Sequence, residues 1–258
     1  MRNLQVRFAG ETNIGRKRQL NEDSLFVPGN HALAIVADGM GGHSSGEVAS
    51  RLAVETVVEH FAATAEERET TWPYKMDRLD RFDSNRLVTA VALANQKIWQ
   101  TGQKNEEQHG MGTTIVAVLF SDDLALIAHV GDSRVYRVRE GRIEQLTEDH
   151  SLLNDYVRMK KLRADEVGKF QHKNVVVRAL GIKEHVQVDI TRDTPRAGDL
   201  YVLCSDGLSG MVSDPEIARL TSGDSDIERA CGNLIAAANA GGGVDNITAV
   251  IARVDSVT

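Results

Sequence analysis

Short runs of apolar and β-branched residues, broken by glycine, asparagine and aspartate, recur along the whole chain. They predict strands near residues 4–9, 24–27, 32–37, 113–120, 124–130, 134–139, 142–146, 186–191, 199–204 and 247–254. Period-3.6 spacing replaces this pattern in four places. One predicted helix starts at Ser44 or Ser45, either a suitable N-cap, and carries Val48, Leu52, Val57 and Phe61. A second begins at Asp83 or Ser84, repeats its apolar face at Leu87, Val91, Ala94 and Ile98, and is expected to stop at Gly102. Two more fall near 214–221, with Pro215 at the first helical position, and near 226–239, with Ile227, Leu234 and Ile235 on one face.

Two stretches fit neither period. Residues 64–82 are polar, contain Trp72-Pro73 and read as a surface excursion. Residues 149–175, "DHSLLNDYVRMKKLRADEVGKFQHKN" and the following valine, contain helical pieces and dense charge but no strand signal. They read as a mobile insertion over one edge of the sheet.

The chain of 258 residues is 41% apolar and 26% charged, a soluble globular balance, and its length suits a single β-rich or α/β domain. No stretch approaches the ~18 to 20 consecutive apolar residues of a membrane helix, and "LQVRFAG" near the start lacks a signal core. No membrane association and a cytoplasmic location are expected. Cys204 and Cys231 form no CxxC or zinc spacing and read as reduced structural thiols. A formal charge of −7, with cations clustered only in "GRKR" and "RMKKLR", argues against nucleic acid as a partner.

The chemistry lies in where the acids fall. Asp38 follows "LAIVA", Asp132 follows "LIAHVG" and Asp206 follows "YVLCS", so each ends a predicted strand; Asp23 and Asp245 precede "SLFV" and "NITAVIARV". Since antiparallel neighbours run end to start, all five carboxylates can converge on a single sheet edge. Crowded acids in a dehydrated cleft repel one another unless protons or cations compensate them. An all-oxygen donor set without paired histidines favours hard ions such as Mg or Mn. Two such ions ~3.5 to 4 Å apart activate a bridging water for attack on a phosphoester. Taken singly, "ADG", "GDS", "SDG" and "VDN" are equally ordinary turn signals.

Six fragments, in order, resemble the bacterial form of the metal-dependent type 2C protein serine/threonine phosphatases. They are "GRKRQLNEDS" (15–24), "VADGMGGHSSGEVAS" (36–50), "GMGTTIVAVL" (110–119), "AHVGDSRVYRVREGRIEQLTEDHS" (128–151), "LCSDGLSGMV" (203–212) and "GGVDNITAVIARV" (242–254). The resemblance implies an α+β fold, the αββα sandwich of two antiparallel sheets flanked by helix pairs, filling one catalytic domain over 1–258 with a flap at about 149–175. It implies that Asp23, Asp38, Asp206 and Asp245, with the carbonyl of Gly39, hold two Mn or Mg ions. Asp132, with Asp206, would hold a third, weaker one, and Glu22 would act through metal-bound water. Arg18 would grip the substrate phosphate, a role suited to a bidentate guanidinium, although Arg16 and Lys17 stand nearby.

The implied reaction is direct attack of a metal-bridging hydroxide on phosphoserine or phosphothreonine of protein substrates, with Arg18, Asp38 and Asp206 as catalytic residues. A monomer opposing a serine/threonine kinase is the expected setting. Met40 stands where animal members carry a proton-donating histidine; His43 is a local alternative, and water on a metal is another candidate for the acid. Two rivals are a catalytically silent relative used as a binding module, which should have lost acids that are all present here, and a phosphatase dedicated to one regulator in a partner switch. The flap has two readings, a determinant of substrate choice or a solvated helix pair.

Overall fold

The computed structural model describes residues 4–28, 32–41, 45–65, 82–161, 170, 172, 175–223 and 226–257. Its strands are β1 (Leu4–Asn13), β2 (Asp23–Phe26), β3 (Leu33–Met40), β4 (Gly112–Thr113), β5 (Ile115–Ser121), β6 (Leu124–Val130), β7 (Arg134–Arg139), β8 (Arg142–Gln145), β9 (Asp189–Asp193), β10 (Leu200–Cys204) and β11 (Ile247–Val257). Its helices are α1 (Ser45–Ala63), α2 (Phe82–Lys104), α3 (Leu152–Arg158), α4 (Asp206–Ser209), α5 (Asp214–Ser222) and α6 (Ile227–Ala240).

One sheet has the order β1-β11-β10-β7-β8 and the other β2-β3-β5-β6-β9, with β4 added to β3; every pairing is antiparallel. Strand alternation divides the apolar residues between three buried layers. Ala34 and Val36 of β3, Val116 and Val118 of β5, Leu203 of β10 and Val250 of β11 meet between the sheets. The opposite faces of β3 and β5, through Ile35 and Ala117, take Leu87, Val91, Ala94 and Ile98 of α2 with Val57 of α1. Behind β10 and β11, Val202 and Ile251 pack on Ile217 of α5 and Leu234 of α6. The order of layers is therefore helix, sheet, sheet, helix, the αββα arrangement.

Several boundaries move for identifiable reasons. β1 runs on to Asn13 because its polar end pairs with the start of β11, Asn13 opposite Ile247. The predicted strand 113–120 divides into β4 and β5 because Thr114 leaves the ladder and turns its hydroxyl to the backbone of Asp38. Strand 186–191 shifts to β9, whose register is set by β6. α2 does not stop at Gly102; there a Cβ would lie 3.1 Å from the carbonyl of Gln108, so the glycine permits a close approach of the following turn. Cys204 and Cys231 are buried and unpaired, and burial pushes both thiols up to about 12. Trp72-Pro73 and most of 64–82, residues 162–169 of the flap, and Gly42, His43 and Ser44 lie outside the described residues.

Candidate active site

The five aspartates come together, but from both sheets rather than from one edge. Asp23 pairs directly with Asp38 across β2 and β3, and Asp132 follows the end of β6 beyond Gly131. Asp206 opens α4 just after β10, and Asp245 precedes β11, which pairs antiparallel with β10. Each sheet thus delivers its acids at the same end of the sandwich. β3 does not end at Asp38; β4 extends it, with Gly39 opposite Thr113 and Met40 opposite Gly112. Arg18, Glu22, Asp38, Gly39, Met40, Gly41, Asp132, Asp206 and Asp245 all line one cleft of ≈ 330 Å³. Arg16 and Lys17 do not line it, which leaves Arg18 as the cation of this cleft among the described residues.

Asp23 sits behind the cleft rather than in its wall. Its Oδ2 accepts hydrogen bonds from Ser205 Oγ at 2.8 Å and Thr248 Oγ1 at 2.6 Å, both on the opposite sheet. Its Oδ1 is buried with no partner. A buried carboxylate oxygen without a donor is costly unless a proton or a cation meets it.

Burial pushes the Asp23 carboxyl up to about 6 and that of Asp132 to about 7, with Asp206 adding to both. Burial likewise raises Asp38 well above its ordinary value, helped by Asp23, Asp206, Asp132 and Asp245. Asp206 is raised by burial and then by Asp245, and Glu22 by burial. The cleft is a concentration of negative charge that the protein's own cations leave largely uncompensated. Arg18, whose guanidinium rests on Asp245 Oδ2 at 2.6 Å, and Arg134, which lowers Asp132 and Asp206 from the side, offset this only in part. The orphaned Oδ1, the all-oxygen donor set and the mutually raised acids fit hard divalent cations.

Three packing features place these groups. A Cβ on Gly39 would fall 2.2 Å from the carbonyl of Gly46 and 2.5 Å from that of Glu22, so only glycine lets β3 pass between the Glu22 loop and α1. Thr114 grips Asp38 from both sides. Its hydroxyl accepts from the Asp38 N–H at 3.1 Å while its own N–H donates to the Asp38 carbonyl at 2.9 Å. The same hydroxyl meets Ser133 Oγ at 2.7 Å, beside Asp132.

Asn246 carries the remaining load. Its Nδ2 donates to the carbonyls of Ile14 and Leu20 at 3.0 and 2.9 Å, and its Oδ1 accepts from the Glu22 N–H at 2.9 Å. The loop bearing Arg18 is thereby laced to the residue after Asp245. Neither Asn246 nor Thr114 was visible as a site residue in the sequence. "VDN" reads as a turn, and a threonine in a strand reads as β-propensity; each partner lies far away along the chain.

The described fold and the cleft define a class, and the comparisons agree with it. The profile of the family described as Protein phosphatase 2C matches residues 10–234. The chain belongs to the protein phosphatase 2C family. Serine/threonine phosphatase stp of Listeria monocytogenes is 34% identical over 247 residues, covering 95% of this chain and 94% of that protein. The serine/threonine phosphatase PstP/Ppp of Mycobacterium tuberculosis superposes with a TM-score of 0.84 at 33% identity, covering 98% of this chain and all of that one. The catalytic domain of PstP solved in complex with two manganese ions superposes with a TM-score of 0.80 at 34% identity, covering 98% of this chain and 99% of that one.

Proposed function

We propose that the protein is a metal-dependent phosphatase that hydrolyses phosphoserine and phosphothreonine in protein substrates, opposing a serine/threonine kinase. The observation that carries this reading is the cleft itself, in which acids from both sheets raise one another's pKa beside Arg18, the arginine of its lining among the described residues. Asp38, Asp206 and Asp245, with the Gly39 carbonyl and the unpartnered Oδ1 of Asp23, would hold two cations; Asp132 and Asp206 would hold a third, weaker one. Manganese is favoured over magnesium by the manganese-bound relative. When bound, the cations supply the activated water and neutralise phosphate charge for direct in-line attack.

The chain's own groups do the rest. Arg18, which rests on Asp245, would present a fork to two phosphate oxygens once that carboxylate is engaged by a cation. Glu22, held by Asn246 and packed on Gly46, orients polar groups at the mouth of the cleft. Met40 lines the cleft without a proton to give, so the proton for the leaving alcohol would come from water, His43 lying outside the described residues. The reading includes a single catalytic domain acting as a monomer in the cytoplasm, with the flap beside the cleft; Val176, the residue after the flap, lines it. Purified protein with manganese should hydrolyse both p-nitrophenyl phosphate and a phosphothreonine peptide. Failure on both, or full activity in Asp206→Asn, would overturn the reading.

A further inference from the structure

A second gathering of potential metal ligands lies on the other side of Gly131. His129, His150 and Asp189 bring one ligand atom each within 4.8 Å of one another. Their hydrogen bonds assign them a different task. The Gly131 N–H donates to His150 Nδ1 at 3.0 Å, which places the imidazole proton on Nε2, facing Asp189 Oδ2 at 3.1 Å. To ligate a cation, His150 would have to surrender the Gly131 bond or lose its one ring N–H proton, on Nε2. Asp189 is also already met by a charge, since Arg178 donates to its Oδ1 at 2.8 Å.

The loop held in this way is the one that carries Asp132. Gly131 has φ +110, and a Cβ there would lie 2.6 Å from Thr114, so the loop adopts a conformation that other residues avoid. His150 clasps it twice, because its own backbone N–H also donates to the Gly131 carbonyl at 2.9 Å. The same residue anchors the root of the flap. Its carbonyl accepts from the Val177 N–H at 2.9 Å, next to the Ser151–Val176 bridge and the Leu152 N–H bond to the Val175 carbonyl at 2.8 Å. The ring is buried and stacks on His129 at 4.6 Å, with 17° between planes, so it cannot swing without unpacking.

We propose that His150 is a positioning residue that couples cation binding at Asp132 to the seating of the flap root. The inference rests on the reading of Asp132 as a cation ligand. A displacement of 150–152 and 175–177 would pull on Gly131 through one imidazole and one backbone bond, and a cation fixing Asp132 would steady the flap root through the same bonds. Coupling of this kind is reciprocal.

Three substitutions separate positioning from bulk. His150→Asn keeps an acceptor near Nδ1, His150→Gln keeps reach toward Asp189 but not that acceptor, and His150→Phe keeps only the stacked ring. Amide exchange by NMR should show the Gly131 N–H opening about fivefold to tenfold faster in the Gln and Phe variants and near wild type in Asn. Manganese should slow exchange at Leu152 and Val177 in wild type and Asn, and several-fold less in Gln and Phe, which keep only the backbone bond from residue 150 to Gly131. Calorimetric titration should show weakening only of the manganese binding that Asp132→Ala removes.

Unchanged Gly131 exchange in His150→Gln, undiminished manganese protection there, or losses in all three variants that merely track Tm would each overturn the proposal. Wild-type protein that binds no manganese would overturn it together with the reading of the cleft, whereas the other outcomes leave that reading standing.

Discussion

The carboxylate cleft and the His129–His150–Asp189 trio hold similar chemical groups on either side of Gly131, yet their electrostatics are opposite. In the cleft, burial and neighbouring acids push Asp23, Asp38, Asp132 and Asp206 upward. In the trio, burial alone would raise Asp189, but the bonds from His150 and Arg178 outweigh it and hold its carboxyl below the ordinary value. Burial lowers both histidines, which favours their neutral forms. Proximity of ligand atoms therefore does not distinguish a cation site from a structural relay. Uncompensated charge does, and here it is confined to one side of the glycine.

The sharpest test of this contrast is Asp206→Asn. Substitutions around a metal's direct ligands typically cost 10- to 100-fold, so loss of a ligand should reduce phosphatase activity by more than about a hundredfold. In chelator-treated protein the same change should raise Tm by relieving repulsion, whereas Asp189→Asn should lower it. Opposite signs in the two regions are the expected result of thermal unfolding with chelator present; equal signs would break the comparison.

The pH dependence comes next in size. Folded protein without cations keeps protons on Asp23 and Asp132 up to about 6 and about 7, while the unfolded chain sheds them near 3.8. The folded state then binds more protons, so stability should fall by a few kcal/mol as pH rises from about 4 to 7. Saturating manganese should displace those protons and remove most of the slope, which Tm measured across this range with and without metal would show.

Smaller effects probe the supports. Asn246→Ala removes three hydrogen bonds, at about 1 kcal/mol each, and should cost about 3 kcal/mol in urea unfolding while freeing the Arg18 loop. Arg18→Lys keeps the charge but loses the fork, and about a tenfold drop in kcat/KM on a phosphopeptide is expected. The smallest change should be Gln187→Ala at the rim of the trio, within about 0.5 kcal/mol in the same unfolding assay, since Arg178 and His150 still hold Asp189.

Much of this architecture was legible in the sequence because it depends on local periods. Leu33, Ile35 and Ala37 facing one layer and Ala34 and Val36 the other is plain alternation, and the Leu87 to Ile98 stripe is plain helical spacing. The acids were legible because strand ends carried them. What the pattern could not supply was the pairing of strands between sheets, so one edge was expected where two sheets meet. Asp23 shows the same limit. Its place at the start of β2 was readable, but its hydroxyl partners Ser205 and Thr248 lie more than half the chain away. Gly102 was misread because a helix stop and a tight contact use the same residue.

The position of β11 has a consequence for how the protein matures. It follows every other described element in sequence but lies between β1 and β10 in space, and it brings Asp245 and Asn246 with it. During synthesis, β1 and the Arg18 loop emerge before β11 and must wait, edge exposed, for this central strand. A chain stalled before β11 would hold several of the acids but neither the seat of the Arg18 loop nor a closed sheet. Closure of this sheet and the seating of the Arg18 loop therefore depend on the same strand.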